Sequence, residues 1–137
     1  MDSATLEHYL TRYGWTFERY DETVVAVVDT AAGDLLIAFQ LSPPWLRLSA
    51  PAYVPGRDRP AAFYAQLLRL NDRARLVRFA LDETDQVFPC VDLYLEPPLT
   101  FEQFALALDV LTYVAETALP HLISDEDTAE DGPEATP

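Results

Sequence analysis

Apolar positions along the chain recur with two different periods, one typical of helices and one of strands. Between residues 99 and 122 an apolar side chain returns every three or four residues, which predicts one long amphipathic helix. Thr100 lies three residues before Gln103, a capping-box spacing that predicts the helix start, and Pro120 predicts its end. The apolar stripe comprises Phe101, Phe104, Ala105, Leu108, Leu111, Ala115 and Leu119. A stripe of this length requires a sheet to pack against.

The N-terminal half predicts a helix followed by strands. Ser3 is a candidate N-cap, and Gly14 is a natural C-terminal stop for a helix with apolar residues on one face. The runs that follow are rich in β-branched and aromatic residues, which favour strands. The predicted strands cover residues 15–20, 23–29, 35–41 and 45–50.

After a proline-rich loop at 51–60, a second helix and two further strands are predicted. The helix covers 61–71 and places Phe63, Leu67 and Leu70 on one face. Strands at 75–82 and 87–95 are joined by a short turn, and Pro89 predicts an edge position or a bulge in the second of them. The fold class is therefore α+β, an antiparallel β-sheet packed with helices in the order α-β-β-β-β-α-β-β-α.

Two central strands are apolar at consecutive positions, over 24–28 and 35–39. A strand with one solvated face should alternate instead, so both faces of the sheet are expected to be covered at least in part. The helices can cover one face. A second copy of the chain or a bound partner can cover the other, unless the second helix does so within a single chain.

The net charge of the chain narrows the kinds of macromolecule that it is expected to bind. The 137 residues contain 23 acidic and nine basic residues, all nine of them arginine, for a net charge of -14. Residues 1–123 are predicted to form one domain, and the acidic stretch 124–137 a disordered tail. Such a surface disfavours direct binding of nucleic acid and permits a basic protein partner. The simpler alternative is that the negative charge only keeps the protein soluble. The chain has a single cysteine, Cys90, no secretory signal, and no apolar run long enough to span a membrane. These three features together predict a cytoplasmic location.

No pattern of residues predicts catalysis. His8 and His121 are the two histidines and lie far apart in the chain, without the spacing of metal ligands. Cys90 lies in an apolar strand, where an inert buried thiol is expected rather than a nucleophile. The glycines are isolated and form no phosphate-binding loop. We therefore predict no catalytic residue, no cofactor and no metal.

Two groups of residues are candidates for contact with another protein. The apolar group, for a dimer or partner interface, is Phe63, Leu67, Leu70, Trp45 and Tyr53. The basic group, for an acidic partner segment or the chain's own tail, is Arg69, Arg73, Arg75 and Arg78. The simpler alternatives are that Trp45 belongs to the core and that the arginines form a solvated helix end.

The amino-acid sequence of residues 60–122 resembles that of the YbjN family. Leu67-Leu68 precedes Leu70-Asn71 at the end of the middle helix, the strand Arg78–Asp82 reads Arg-Phe-Ala-Leu-Asp, and a leucine-rich helix opens at Leu99-Thr100. These are small bacterial proteins with the fold of type III secretion chaperones. The resemblance implies an α+β sandwich, often homodimeric, that binds other proteins and has no catalytic residue, cofactor or metal.

Taken together, the sequence predicts a non-enzymatic, chaperone-like homodimer that binds a protein client in a regulatory or stress-related role. The acidic surface favours a client with a basic surface, of which nucleic-acid-binding proteins are one class. One alternative is a small-molecule sensor or enzyme with its site between sheet and helices. Another is a subunit whose sheet is completed inside a larger assembly.

Overall fold

The structure, a computed structural model, describes the backbone of residues 1–31 and 33–135 and the side chains of these ranges as far as Leu122. Within them the chain forms three helices and seven strands. The helices are α1 (Ser3–Tyr13), α2 (Ala61–Arg73) and α3 (Phe101–Ala135). The strands are β1 (Glu18–Tyr20), β2 (Thr23–Thr30), β3 (Gly33–Ser42), β4 (Trp45–Ser49), β5 (Val54–Pro55), β6 (Arg78–Leu81) and β7 (Gln86–Tyr94).

All seven strands form one antiparallel sheet in the order β1-β2-β3-β4-β7, with β6 on the far edge of β7. The two-residue strand β5 lies in the predicted loop 51–60. It pairs with the first residues of β7, on the same side of β7 as β4, which pairs with the later residues of that strand. The predicted element order is otherwise reproduced.

Pro89 lies in an interior strand, so the prediction of a sheet edge is wrong. Cys90 pairs with Ser49 on one side and with Arg78 on the other. The Pro89 carbonyl accepts a hydrogen bond from the Ala50 amide, so its nitrogen faces the gap between β4 and β5. A proline is tolerated there because the ladder is interrupted and needs no donor.

The ends of α1 follow standard capping chemistry. The carboxylate of Asp2 accepts a hydrogen bond from the Thr5 amide at 2.8 Å, so Asp2 is the N-cap and the prediction of Ser3 is wrong by one residue. Gly14 ends the helix with a φ of 103°, a left-handed conformation that glycine adopts without a steric penalty.

Helix α3 begins as predicted and ends later. Thr100 and Gln103 form the reciprocal capping box, with hydrogen bonds of 2.9 and 3.1 Å. The helix passes through Pro120, so the prediction that Pro120 ends it is wrong; Ala118 and Leu122 on either side are buried in the core and hold the helix together there. The side chains of the acidic stretch 124–137 lie outside the described residues, and the boundary at 123 stays a prediction.

All three helices pack on one face of the sheet. Val24, Phe39, Leu48 and Val91 form a row across four strands on that face, and all are buried. Side chains of α1 and α3 pack against this row. Phe63 of α2 packs with Phe79, Val87 and α3 in a second cluster beneath the other end of the sheet. The two clusters form the core.

Candidate functional site

The face of the sheet opposite the helices is uncovered in the described part of the chain. Its side chains are those that alternate with the core rows, and large apolar ones among them are exposed. Val27 pairs with Leu36, and their exposed fractions are 62% and 40%. Trp45 pairs with Tyr94, their rings 5.2 Å apart between centroids and about half exposed. We call this surface the open sheet face.

An ion-pair trio lies on the open sheet face and runs from β4 through β7 to the edge strand β6. Arg47 lies opposite Asp92 and binds its two carboxylate oxygens at 2.8 and 3.1 Å, while Arg78 donates to the same carboxylate at 2.6 Å. The hydrogen bonds from Arg47, followed by that from Arg78, lower the pKa of Asp92 to about 2. The trio carries a net positive charge in a strongly acidic protein.

A row of smaller side chains runs beside the trio. Ala38, Ser49 and Cys90 lie next to one another in register and are buried, although they point away from the helices. Burial raises the pKa of the Cys90 thiol. With the trio, Trp45 and the ends of β2 and β3, the open sheet face has a depression of about 690 Å³.

A second depression, of about 490 Å³, lies on the other side of the molecule between α2 and α3. Its apolar part comes from both helices, with Leu70 on α2 and Val110, Val114 and Ala118 on α3. Tyr113, which is 68% exposed, stands at its edge. Arg73, Arg75 and His121 contribute the charged and titratable part. We call it the α2–α3 groove.

The structure separates the predicted apolar group. Phe63 is fully buried in the core, which removes it from the predicted interface, because its face of α2 packs within the chain. Tyr53 packs against both core clusters and donates a hydrogen bond to the Ala115 carbonyl; burial raises its pKa. Leu67 and Leu70 are half-buried. Trp45 is 47% exposed on the open sheet face, so the alternative that it belongs to the core is wrong.

The predicted basic group is also divided. Arg73 and Arg75 both line the α2–α3 groove, and Arg69 is exposed on α2 outside it. Arg78 lies on the open sheet face with Asp92.

Sequence reasoning missed Val27, Leu36, Tyr94, Arg47 and Asp92 as members of one surface. The alternation of β4 contained a signal, because Trp45 and Arg47 share a face that Leu46 and Leu48 do not.

The described residues contain neither a cluster of metal ligands nor a helix that could span a membrane. No three His, Cys, Asp or Glu side chains of the described residues lie together in the way that metal ligands do. Within the same residues, no helix combines the length and the apolar character needed to cross a bilayer. Both depressions lie outside the layer between sheet and helices where a sensor or enzyme site was considered.

Comparison with known proteins assigns the family. The model of a family described as "Putative bacterial sensory transduction regulator", YbjN, matches residues 2–124. The chain belongs to the YbjN family. A search of curated proteins found no match.

The fold is shared with the solved structures of a YbjN protein and of chains from two protein complexes. The crystal structure of YbjN from E. coli superposes with a TM-score of 0.66 and 21% identity, covering 88% of this chain and 93% of that one. A chain of the ExsC–ExsE complex gives 0.62 and 23%, covering 89% and 97%. A chain of the heterodimeric ExoU–SpcU complex from the type III secretion system of Pseudomonas aeruginosa gives 0.60 and 14%, covering 88% and 97%. The predicted α+β, type III secretion chaperone-like fold is confirmed.

Proposed function

We propose that this YbjN protein is a non-enzymatic, cytoplasmic, chaperone-like binding module that acts as a homodimer and binds a protein client. The observation that carries the proposal is the open sheet face, which exposes Val27, Leu36, Trp45 and Tyr94 although every described helix packs on the opposite side. The two apolar pairs, Val27 with Leu36 and Trp45 with Tyr94, lie on either side of the ion-pair trio, and large exposed apolar side chains of this kind favour a site of protein interaction. We assign it to a second copy of the chain.

The open sheet face approaches the size of one side of a stable dimer interface. Six strands set side by side span about 24 Å, and with three to ten residues each they average about 22 Å in length, for a nominal area of about 530 Å². A standard interface buries about 800 Å² on each partner, and the accessible area of the face exceeds its nominal area because side chains stand out from the sheet. Interdigitation of its apolar rows with those of a second sheet would resemble the packing of a β-sandwich.

The charges on the open sheet face also favour a second copy. A charged surface that meets itself across a two-fold axis is self-complementary only if it carries both signs. Arg47 lies on β4 and Arg78 on the edge strand β6, whereas Glu18 lies on the opposite edge strand β1 and Asp34 on β3. A two-fold contact can therefore pair the basic side of one copy with the acidic side of the other.

Binding of a client is supported by the relatives in fold, two of which were solved as the complexes ExsC–ExsE and ExoU–SpcU. The net charge of -14 accelerates encounter with a client that is basic overall, of which nucleic-acid-binding proteins are one class. We place this activity in a regulatory or stress-related role.

Sedimentation of matched aspartate variants tests the dimer. Val27→Asp places a charge on the open sheet face, Leu68→Asp on α2 and Leu106→Asp on α3; the three parent side chains are 62%, 70% and 60% exposed. Because all three are well exposed, each variant should keep its fold, which circular dichroism checks. We expect wild type, Leu68→Asp and Leu106→Asp to sediment as dimers and Val27→Asp as a monomer.

A monomeric wild type at high micromolar concentration would overturn the dimer. Dissociation by Leu68→Asp with Val27→Asp still dimeric would move the interface to α2 and contradict the assignment to the sheet.

A further inference from the structure

The α2–α3 groove differs in charge from the rest of the molecule. The chain has 23 acidic residues against nine arginines, yet no described Asp or Glu lines the groove. Its charged lining consists of Arg73 and Arg75, with His121 beside them. The groove is therefore a local positive region on an acidic protein.

Among the side chains that the structure describes, the arginines near the groove also lack the partners that other arginines have. Six of the nine arginines bind a carboxylate or lie over an aromatic ring within the described residues. They are Arg12, Arg19, Arg47, Arg57, Arg59 and Arg78. For Arg69, Arg73 and Arg75 the described side chains supply no ion pair. Two of these three, Arg73 and Arg75, line the groove.

The apolar part of the groove indicates a second property of its ligand. Leu70, Val110 and Val114 are half-buried and Tyr113 is largely exposed, so a ligand with apolar side chains gains stability by covering them. Covering such surface contributes about 25 cal/mol per Å². A volume of about 490 Å³ accommodates a few side chains rather than a folded domain.

We propose that the α2–α3 groove binds a short segment of the client in which apolar side chains alternate with carboxylates. The apolar side chains cover Leu70, Val110, Val114 and Tyr113, and the carboxylates pair with Arg73 and Arg75. This inference rests on the proposed function, because it names the chemistry by which the client is recognised. In this proposal the overall negative charge of the protein attracts a client that is basic overall. The local positive charge of the groove then binds an acidic segment of that client.

A peptide fits this groove better than a nucleic acid. Two arginines neutralise too few phosphates to hold a backbone against the net negative charge of the protein. A nucleic acid also brings no aliphatic side chains to cover the leucine and valines.

Two short-peptide libraries test the proposal against the full chain at physiological salt. Both carry Leu and Phe at the same positions; the remaining positions are Glu in one and Lys in the other. We expect the wild type to bind the Glu library about tenfold more tightly, as two exposed charge pairs can supply. This preference opposes the overall charge of the protein, so nonspecific attraction cannot produce it.

Charge reversal assigns the preference to the groove. The double variant R73E/R75E should reverse it in favour of the Lys library, and R69E, which changes a nearby arginine outside the groove, should leave it unchanged. Equal binding of the two libraries by the wild type, or loss of the preference in R69E as well, would overturn the proposal. A dimeric wild type and double variant without a Glu preference would remove this inference and leave the proposed function in place.

Discussion

Replacing Asp92 with asparagine removes the carboxylate that holds Arg47 and Arg78 on the open sheet face. The two guanidinium groups then face each other with an amide between them, which accepts hydrogen bonds but carries no charge. The substitution keeps the shape of the side chain, so the change in the free energy of unfolding reports the electrostatics of the trio.

The expected loss in the free energy of unfolding follows from the lowered pKa of Asp92. The pKa of Asp92 falls from 3.8 to about 2 in the folded protein, and each unit corresponds to about 1.4 kcal/mol. The full shift corresponds to about 2.4 kcal/mol at pH 7. The arginine side chains are 38% and 48% exposed, so solvent screening reduces the expected loss in Asp92→Asn to about 1–2 kcal/mol. Because the folded-state pKa is the lower one, this stability is present above about pH 4 and is lost as the pH falls towards 2.

Urea denaturation followed by circular dichroism measures the effect at pH 7 and at pH 3. The Val27→Asp background keeps the dimer equilibrium out of the measurement, since association would add its own free energy. The loss of stability caused by Asp92→Asn in this background should fall to about half between the two pH values. Asp34→Asn, on the same face and without an arginine partner among the described residues, is the control and should change little at either pH. A loss for Asp92→Asn that is equal at pH 7 and pH 3 would refute the electrostatic account of the trio.

Three further predictions concern stability and are measured by the same urea denaturation. Phe63→Ala should cost about 3–5 kcal/mol because it opens a cavity in the core, whereas Leu68→Ala, at a side chain 70% exposed, should stay within about 0.5 kcal/mol; equal costs would contradict the burial of Phe63. Gly14→Ala should cost about 1 kcal/mol through the left-handed backbone alone, since an added Cβ meets no atom within 4 Å. Tyr53→Phe should cost about 1 kcal/mol through its lost hydrogen bond to Ala115, and an unchanged midpoint would count against that bond.

Local signals predicted the elements of the fold well because short-range physics decides them. The capping box of Thr100 and Gln103 and the glycine stop at Gly14 are contained within a few residues, and both are present. Pro120 shows where local signals fail. Its missing N–H weakens the helix locally, but burial of Ala118 and Leu122 against strands far away in sequence outweighs that cost.

The surfaces were harder to predict because periodicity identifies a face and not its partner. The spacing of Phe63, Leu67 and Leu70 marks one side of α2, and it is the same whether that side packs inside the chain or outside it. Consecutive apolar residues in β2 and β3 did predict that the second sheet face needs a cover, and Val27 and Leu36 are exposed there. The α2–α3 groove joins residues from two helices that are distant in sequence, so no single segment of the sequence predicted it.

Protection of Trp45 from a soluble quencher tests most directly whether the open sheet face binds a second copy. The chain has two tryptophans, and Trp15→Phe leaves Trp45, 47% exposed on this face, as the single reporter. Acrylamide quenching of Trp45 should be strong at nanomolar concentration and weak at high micromolar concentration. In the Val27→Asp background it should stay strong at both. Quenching of Trp45 that does not change with protein concentration would contradict the assignment of this face to a second copy.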